Sequence, residues 1–250
     1  MAVPSVGFDA LLFDLFGTVV QFAATVPSVV SAGERRRSTM GWLHDCVAAE
    51  LPAVPFERFL ESIGTVTKEI VAGRSPEYLE ISSPERFRRA LELLGLEPAL
   101  AVAIGQRLSA AHMLHIGSQT VLPAGHRELL ERLGKRYRVG LVSNFDSGPT
   151  AARVLQMHGV DHAFASVTIS DGFGRRKPHP AIFLHAVEEL GATPDHTLFI
   201  GDSFTDDVVG AKAAGLAVAW INADAEMAPT QEPRADYIIA ALADLEELLG

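Results

Sequence analysis

Apolar and polar positions along this chain follow two rhythms. Short apolar runs, too brief for helices, recur at residues 10–13, 139–142, 164–169, 197–200 and 217–221, and each reads as a buried strand. Residues 237–239 add a short last strand. Between these runs the apolar spacing turns helical, at 128–133, 151–157, 181–190 and 207–214. In the third of these, Ile182, Phe183, Ala186, Val187 and Leu190 form one stripe while Glu188 and Glu189 fall off it, as in a helix that covers a sheet. From residue 27 to 122 strand-like runs disappear. Pro52, Pro55, Gly73, Pro84, Gly95 and Pro98 divide this stretch into roughly four helices, one of them starting after a cap at Ser83 and stopping at Gly95.

Strands alternating with helices imply an α/β fold, a Rossmann-like doubly wound parallel sheet with helices on both faces. The helical block interrupts this sheet directly after its first strand. The expected organisation is therefore a discontinuous core, residues 1–22 and 120–250, with a helical domain at 23–119. No internal repeat or low-complexity segment is visible.

Composition narrows the picture. The chain has 250 residues, 48% hydrophobic and 21% charged, which suits a globular protein. Its 21 Lys plus Arg stand against 31 Asp plus Glu, a net charge of −10, so a nucleic-acid partner is not expected. The lone Cys46 cannot form an internal disulfide, which fits a reducing compartment. The first twenty residues carry no basic leader, and Asp9 and Asp14 cut their apolar run, so neither signal peptide nor membrane span is expected. These features suggest a soluble cytoplasmic protein, monomer or homodimer.

Open parallel sheets bind ligands beyond the carboxyl ends of their strands. Asp14 follows the first strand, Ser143 and Asn144 the second, and Asp202 the fourth, with Asp206 and Asp207 opening the next helix. Lys177 lies a loop beyond the third strand. Singly, each has a plainer reading as a turn, cap or solvated residue. Jointly they gather carboxylates, a lysine and a hydroxyl on one edge. Crowded carboxylates repel unless a cation compensates, and an oxygen-only, half-open cluster suits Mg²⁺ with a substrate phosphate. Lys177 and Ser143 would hold the far side of that phosphoryl group.

Here the chain resembles a family. Phe13-Asp14-Leu15-Phe16-Gly17-Thr18, Val142-Ser143-Asn144, Lys177-Pro178-His179-Pro180, and Gly201-Asp202-Ser203 with Asp207 through Ala211 look like the four motifs of the haloacid dehalogenase-like hydrolases. The likeness spans the whole sheet domain, and the helical block matches that family's helical cap. It implies a phosphatase acting on a small phosphorylated metabolite, with Asp14 as the nucleophile that forms an aspartyl-phosphate. Mg²⁺ would be held by Asp14, the backbone carbonyl of Phe16, Asp202 and Asp207, the last preferred over Asp206 by its spacing to Ala211 and Gly215. Lys177 would be catalytic together with Asp14; Thr18, Ser143, Asn144 and Lys177 would bind the phosphate, and Thr18 would also brace the first-motif turn.

One position departs from the pattern. The family's phosphatases carry an acid/base aspartate two residues after the nucleophile, where this chain has Phe16. General acid–base help is worth roughly 10²–10⁴ in rate. His44, Asp45, Glu80, His112 and His115 in the helical block are candidate replacements. A leaving group that needs no proton is the second option, as in 2-haloacid dehalogenases or phosphonatases, with the triplet Arg35-Arg36-Arg37 either a carboxylate clamp or an exposed stripe on a cap helix. A weakly active regulatory or binding protein is the third.

Overall fold

The computed structural model describes residues 7–23, 26–31, 34–223, 225 and 233–250. Six parallel strands form one sheet: β1 (Ala10–Phe13), β2 (Arg138–Ser143), β3 (Ser166–Ile169), β4 (Thr197–Gly201), β5 (Ala217–Ile221) and β6 (Tyr237–Ile239). Their spatial order is β6-β5-β4-β1-β2-β3, so the winding direction reverses between β1 and β4. This is the doubly wound topology expected, with its switch point at the end of β1.

Strand alternation sorts the core. Leu11 and Phe13 of β1, with Leu198 and Ile200 of β4, point to one face, where they meet Leu129, Leu130, Val154 and Leu155. Ala10, Leu12 and Phe199 point to the other, against Ile182, Phe183, Ala186 and Val187. The period-two switch of β1 and β4 is the physical reason that helices cover both faces.

The insertion after β1 carries four described α-helices: α1 (His44–Glu50), α2 (Phe56–Ala72), α3 (Ser83–Leu93) and α4 (Pro98–Ser118). They bury their own apolar cluster, including Phe59, Ile63, Phe87, Leu91, Ile104 and Leu108. Outside this cluster the described helices are α5 (His126–Leu133), α6 (Gly148–Met157), α7 (Pro180–Glu189), α8 (Val209–Ala213) and α9 (Leu245–Leu249), with a single helical turn at Ser170–Phe173. No described helix is long and apolar enough to cross a membrane.

Three details correct the sequence reading. The insertion is not wholly helical: Ser28–Ser31 pairs antiparallel with Glu34–Arg37, and at its two ends Gln21–Phe22 of the core pairs antiparallel with Thr120–Val121. The arginine triplet therefore lies on a strand, not a helix. Ser83 does not cap α3 either. It lies inside the helix, fully buried, and accepts a hydrogen bond from the Ser109 hydroxyl at 2.8 Å. The stop at Gly95 is as expected, with φ +90° directly after the helix. The segment 207–214 begins earlier, as a wide turn over Phe204–Val208 that leads into α8.

Candidate functional site

Four elements converge where β1 and β4 end. The backbone N–H of Asp14 donates to the carbonyl of Ile200 at 2.9 Å, which locks the residue to the β4 terminus. Gly17 N–H donates to Val20 O and Val20 N–H to Leu15 O, closing a tight turn immediately after Asp14. Thr18 is buried in that turn, but its hydroxyl has no hydrogen-bond partner among the described residues; the side chain that bonds to the turn is Gln21, whose Nε2 donates to Gly17 O at 2.8 Å.

At the centre, the Lys177 ammonium lies 2.6 Å from Asp14 Oδ1 and 2.6 Å from Asp207 Oδ1. All three side chains are buried, and the ammonium also sits 5.3 Å from the centroid of the Phe199 ring. Asp202 completes the group from the solvent side: one carboxylate oxygen each from Asp14, Asp202 and Asp207 lie within 4.8 Å of one another. Ser203 N–H donates to Asp207 Oδ2 at 2.9 Å, and the Trp220 indole donates to Asp202 O at 2.9 Å.

Three carboxylates face one ammonium, and the charges show it. Burial pushes the Asp14 carboxyl above its usual range; Lys177 offsets this in part, and Asp202 adds to it. Burial raises Asp207 to about 6 against the pull of Lys177. Burial, with the Asp207 charge, raises Asp202 to about 6. Burial acts to lower Lys177, but the two carboxylates outweigh it and leave the ammonium firmly protonated. The pocket thus holds more negative charge than its own lysine balances. Its donor set, carboxylate oxygens open on one side, fits a hard divalent cation.

The Asn144 side chain is committed elsewhere. Its Oδ1 accepts from Lys177 N–H at 2.7 Å, while its Nδ2 donates to Lys177 O at 3.0 Å and to Asp206 Oδ2 at 3.1 Å. Asp206 therefore faces Asn144, whereas Asp207 joins Asp14 and Asp202. Ser143 is buried at the end of β2. Phe16 stacks on Phe22 at 5.2 Å and packs against Phe145 at 4.7 Å, so the position where the resemblance leads one to expect a carboxylate is an aromatic wall.

The candidate replacements scatter. His44 and Asp45 pair with each other on the exposed surface. His115 stacks on Trp42 at 6.0 Å. His112 is buried, bonded to Thr39 at 2.9 Å, and burial lowers it to about 3. Glu80 alone reaches the sheet domain, where it accepts from the Ser170 hydroxyl at 2.5 Å and pairs with Arg176 at 3.2 Å. Of the arginine triplet, Arg37 is exposed, and the side chains of Arg35 and Arg36 lie outside the described residues. The structure adds residues that the sequence did not single out: Asp146, whose carboxyl burial pushes above its usual range despite Arg86, and Arg74, Arg86 and Arg176 around it. A larger, mostly apolar cavity of about 560 Å³ between α4 and α6 is lined by none of the predicted site residues.

A family model described as haloacid dehalogenase-like hydrolase matches residues 8–215. A glyceraldehyde 3-phosphate phosphatase of Pyrococcus furiosus is 33% identical over 128 residues, 50% of this chain and 53% of that protein. The pyrimidine 5'-nucleotidase YjjG of Escherichia coli is 29% identical over 66% of this chain and 69% of its own. The chain spans about half the length of most of the curated relatives it matches. Among solved structures, a 2-haloacid dehalogenase of Pseudomonas syringae superposes with a TM-score of 0.73 at 24% identity, covering 97% of this chain and 98% of that one, a likeness of fold.

Proposed function

Because the chain belongs to the haloacid dehalogenase-like hydrolase family, we propose that it is a phosphatase acting on small phosphorylated metabolites, with Asp14 as nucleophile. One observation carries the reading: Lys177 held 2.6 Å from both Asp14 and Asp207, with Asp202 beside them, at the switch point of the sheet. Asp14, the Phe16 carbonyl, Asp202 and Asp207 would hold Mg²⁺. When bound, the ion supplies the positive charge that lets these carboxylates coexist with a phosphate.

Asp14 attacks phosphorus, the bond to the leaving oxygen breaks, and its electron pair departs with that oxygen. Water then attacks the phosphorus of the aspartyl-phosphate, releasing inorganic phosphate and restoring Asp14. Ser143, the backbone after it and Lys177 neutralise the transferring oxygens, and Asn144 positions Lys177 through its two backbone bonds. Phe16 offers no proton to the leaving group, so acyl phosphates suit the site better than sugar phosphates. Residues 23–119 act as the cap over a core of 1–22 and 120–250. In this reading the protein works in the cytoplasm as a monomer or homodimer, and its net charge of −10 argues against nucleic acid.

Turnover of p-nitrophenyl phosphate and acetyl phosphate with Mg²⁺, its loss in EDTA, and its loss in Asp14→Asn are the expected results. No turnover of either substrate with Mg²⁺ would overturn the reading. The aromatic wall of Phe16, Phe22 and Phe145 favours a second reading, displacement of halide from a short 2-haloacid by Asp14. It requires chloride release from 2-chloropropionate that persists in EDTA, and it leaves the carboxylate of Asp202 without a purpose.

A further inference from the structure

Where the helical insertion meets the loop after β2, a cavity of about 200 Å³ is lined by three arginines, Arg74, Arg86 and Arg176, and by Glu80 and Asp146. Two of the arginines are paired. Arg86 Nη2 lies 2.6 Å from Asp146 Oδ2, and Arg176 Nη1 lies 3.2 Å from both Glu80 oxygens. Glu80 is further occupied by the Ser170 hydroxyl and by Ile81 N–H at 3.0 Å. Arg74 has no carboxylate within 4.0 Å among the described residues, and its Nε is buried without a hydrogen-bond partner, as is Nε of Arg86. Burial, with the neighbouring Arg176 charge, pulls the Arg74 guanidinium below its usual value. Glu80 and Asp206 act on Arg74 from a distance, but two buried guanidinium donors, Nε of Arg74 and Nε of Arg86, stay without a partner, a costly arrangement unless an anion fills it.

The cavity also borders the catalytic loop. Asn144 and Phe145 line it. The Asn144 amide holds the Lys177 backbone, and the Phe145 ring packs on Phe16, two residues from Asp14. The volume is below the range of about 300–1,000 Å³ for drug-sized ligands and suits a fragment of a few heavy atoms. A guanidinium fork matches carboxylate or phosphate oxygens, and the small volume favours the smaller of the two, a carboxylate.

We infer that this cavity receives a second anionic group of the substrate, a carboxylate, so that the preferred substrates are small phosphorylated acids read at the cap side by Arg74. The inference rests on the phosphatase reading above, and its test separates the two. Primary phosphate esters of two to four carbons ending in a carboxylate are compared with alkyl phosphates and alkane bisphosphates of equal length. Turnover is measured in the wild type, and binding by calorimetry in Asp14→Asn. The best acid should exceed its alkyl counterpart at least tenfold in both kcat/KM and affinity. Arg74→Gln should bring the two series within about twofold, and Arg74→Lys should fall between. Arg107→Gln, at an exposed arginine paired with Glu50, should keep the preference, and circular dichroism verifies folding of each variant. Equal values for acids and alkyl phosphates, or a preference that survives Arg74→Gln, would overturn the inference. Bisphosphates bound tenfold better than acids would overturn the carboxylate assignment. Arg74-dependent binding of the acids with no turnover of any phosphate would uphold the anion site and sink the phosphatase reading.

Discussion

Gly17 and Asp202 pack so closely that a β-carbon on Gly17 would stand 2.1 Å from Asp202 Oδ2. Gly17 also has φ +94°, a left-handed conformation that a residue with a side chain adopts at a cost of about 1–2 kcal/mol. Strain and collision thus coincide at the turn that follows Asp14, the proposed nucleophile. Gly17→Ala should lower stability by about 2 kcal/mol or more in urea titration, and move Asp202 out of register with Asp14. A displacement of that kind is worth on the order of 10²-fold in turnover. A variant of wild-type stability and activity would show that the turn yields more easily than its geometry indicates.

Asp202 lies among like charges with only Lys177 nearby, and burial and Asp207 raise its carboxyl to about 6. The sign follows. Folded Asp202 holds its proton more tightly than the unfolded residue does, so its ionisation opposes folding, and that penalty is complete above pH 6. Asp202→Asn should therefore stabilise the metal-free protein at pH 8, by about 1 kcal/mol or less given the solvent on its open side. If the cluster holds Mg²⁺ as proposed, Mg²⁺ should raise the melting temperature of the wild type and not that of Asp202→Asn. Measuring Tm with EDTA and with Mg²⁺ for both proteins separates the two effects.

Phe16 occupies the position where a general acid would serve the leaving group, sandwiched between Phe22 and Phe145. Phe16→Asp should cost about 2–4 kcal/mol of stability through lost ring packing. On substrates with alcohol leaving groups it should raise kcat, by up to about 10²-fold. On acetyl phosphate, whose leaving group needs no proton, it should change little. An equal effect on both substrate classes would mean that proton delivery does not limit the rate.

The site was legible at its strand ends because a parallel sheet concentrates chemistry there. Asp14, Ser143 and Asp202 follow strands that short apolar runs betray, and Lys177 and Asp207 come with their motifs. The hairpin at Ser28–Ser31 and Glu34–Arg37 was hidden for a local reason. Val29 and Val30 favour a strand, but Glu34 through Arg37 do not, and the partner rather than the propensity decides. Ser83 misled because two serines precede Pro84 and either can stand before the helix; the helix starts one residue earlier, after Ser82, and Ser83 lies inside it, bonded to Ser109. Arg74, Arg86, Asp146 and Arg176 are spread over a hundred residues with no shared spacing. Only the packing of the insertion onto the loop after β2 brings them together.

His112 in α4 is buried against Phe87, and burial lowers it to about 3 from an ordinary value near 6.5. The folded protein thus keeps the ring neutral while the unfolded chain protonates it. Its contribution to stability is complete above pH 6.5 and is lost as pH falls toward 3, at up to about 1.4 kcal/mol per pH unit. A glutamine can keep the bond to Thr39, which lies 2.9 Å from Nε2, and does not titrate. The stability of His112→Gln should therefore decline less steeply than that of the wild type between pH 6.5 and 4. The difference between the two denaturation curves isolates this histidine from the acidic cluster, whose carboxylates titrate with the opposite sign. Parallel curves would show that the unfolded chain gains no extra proton at this position, and that the ring is already solvated in the folded protein.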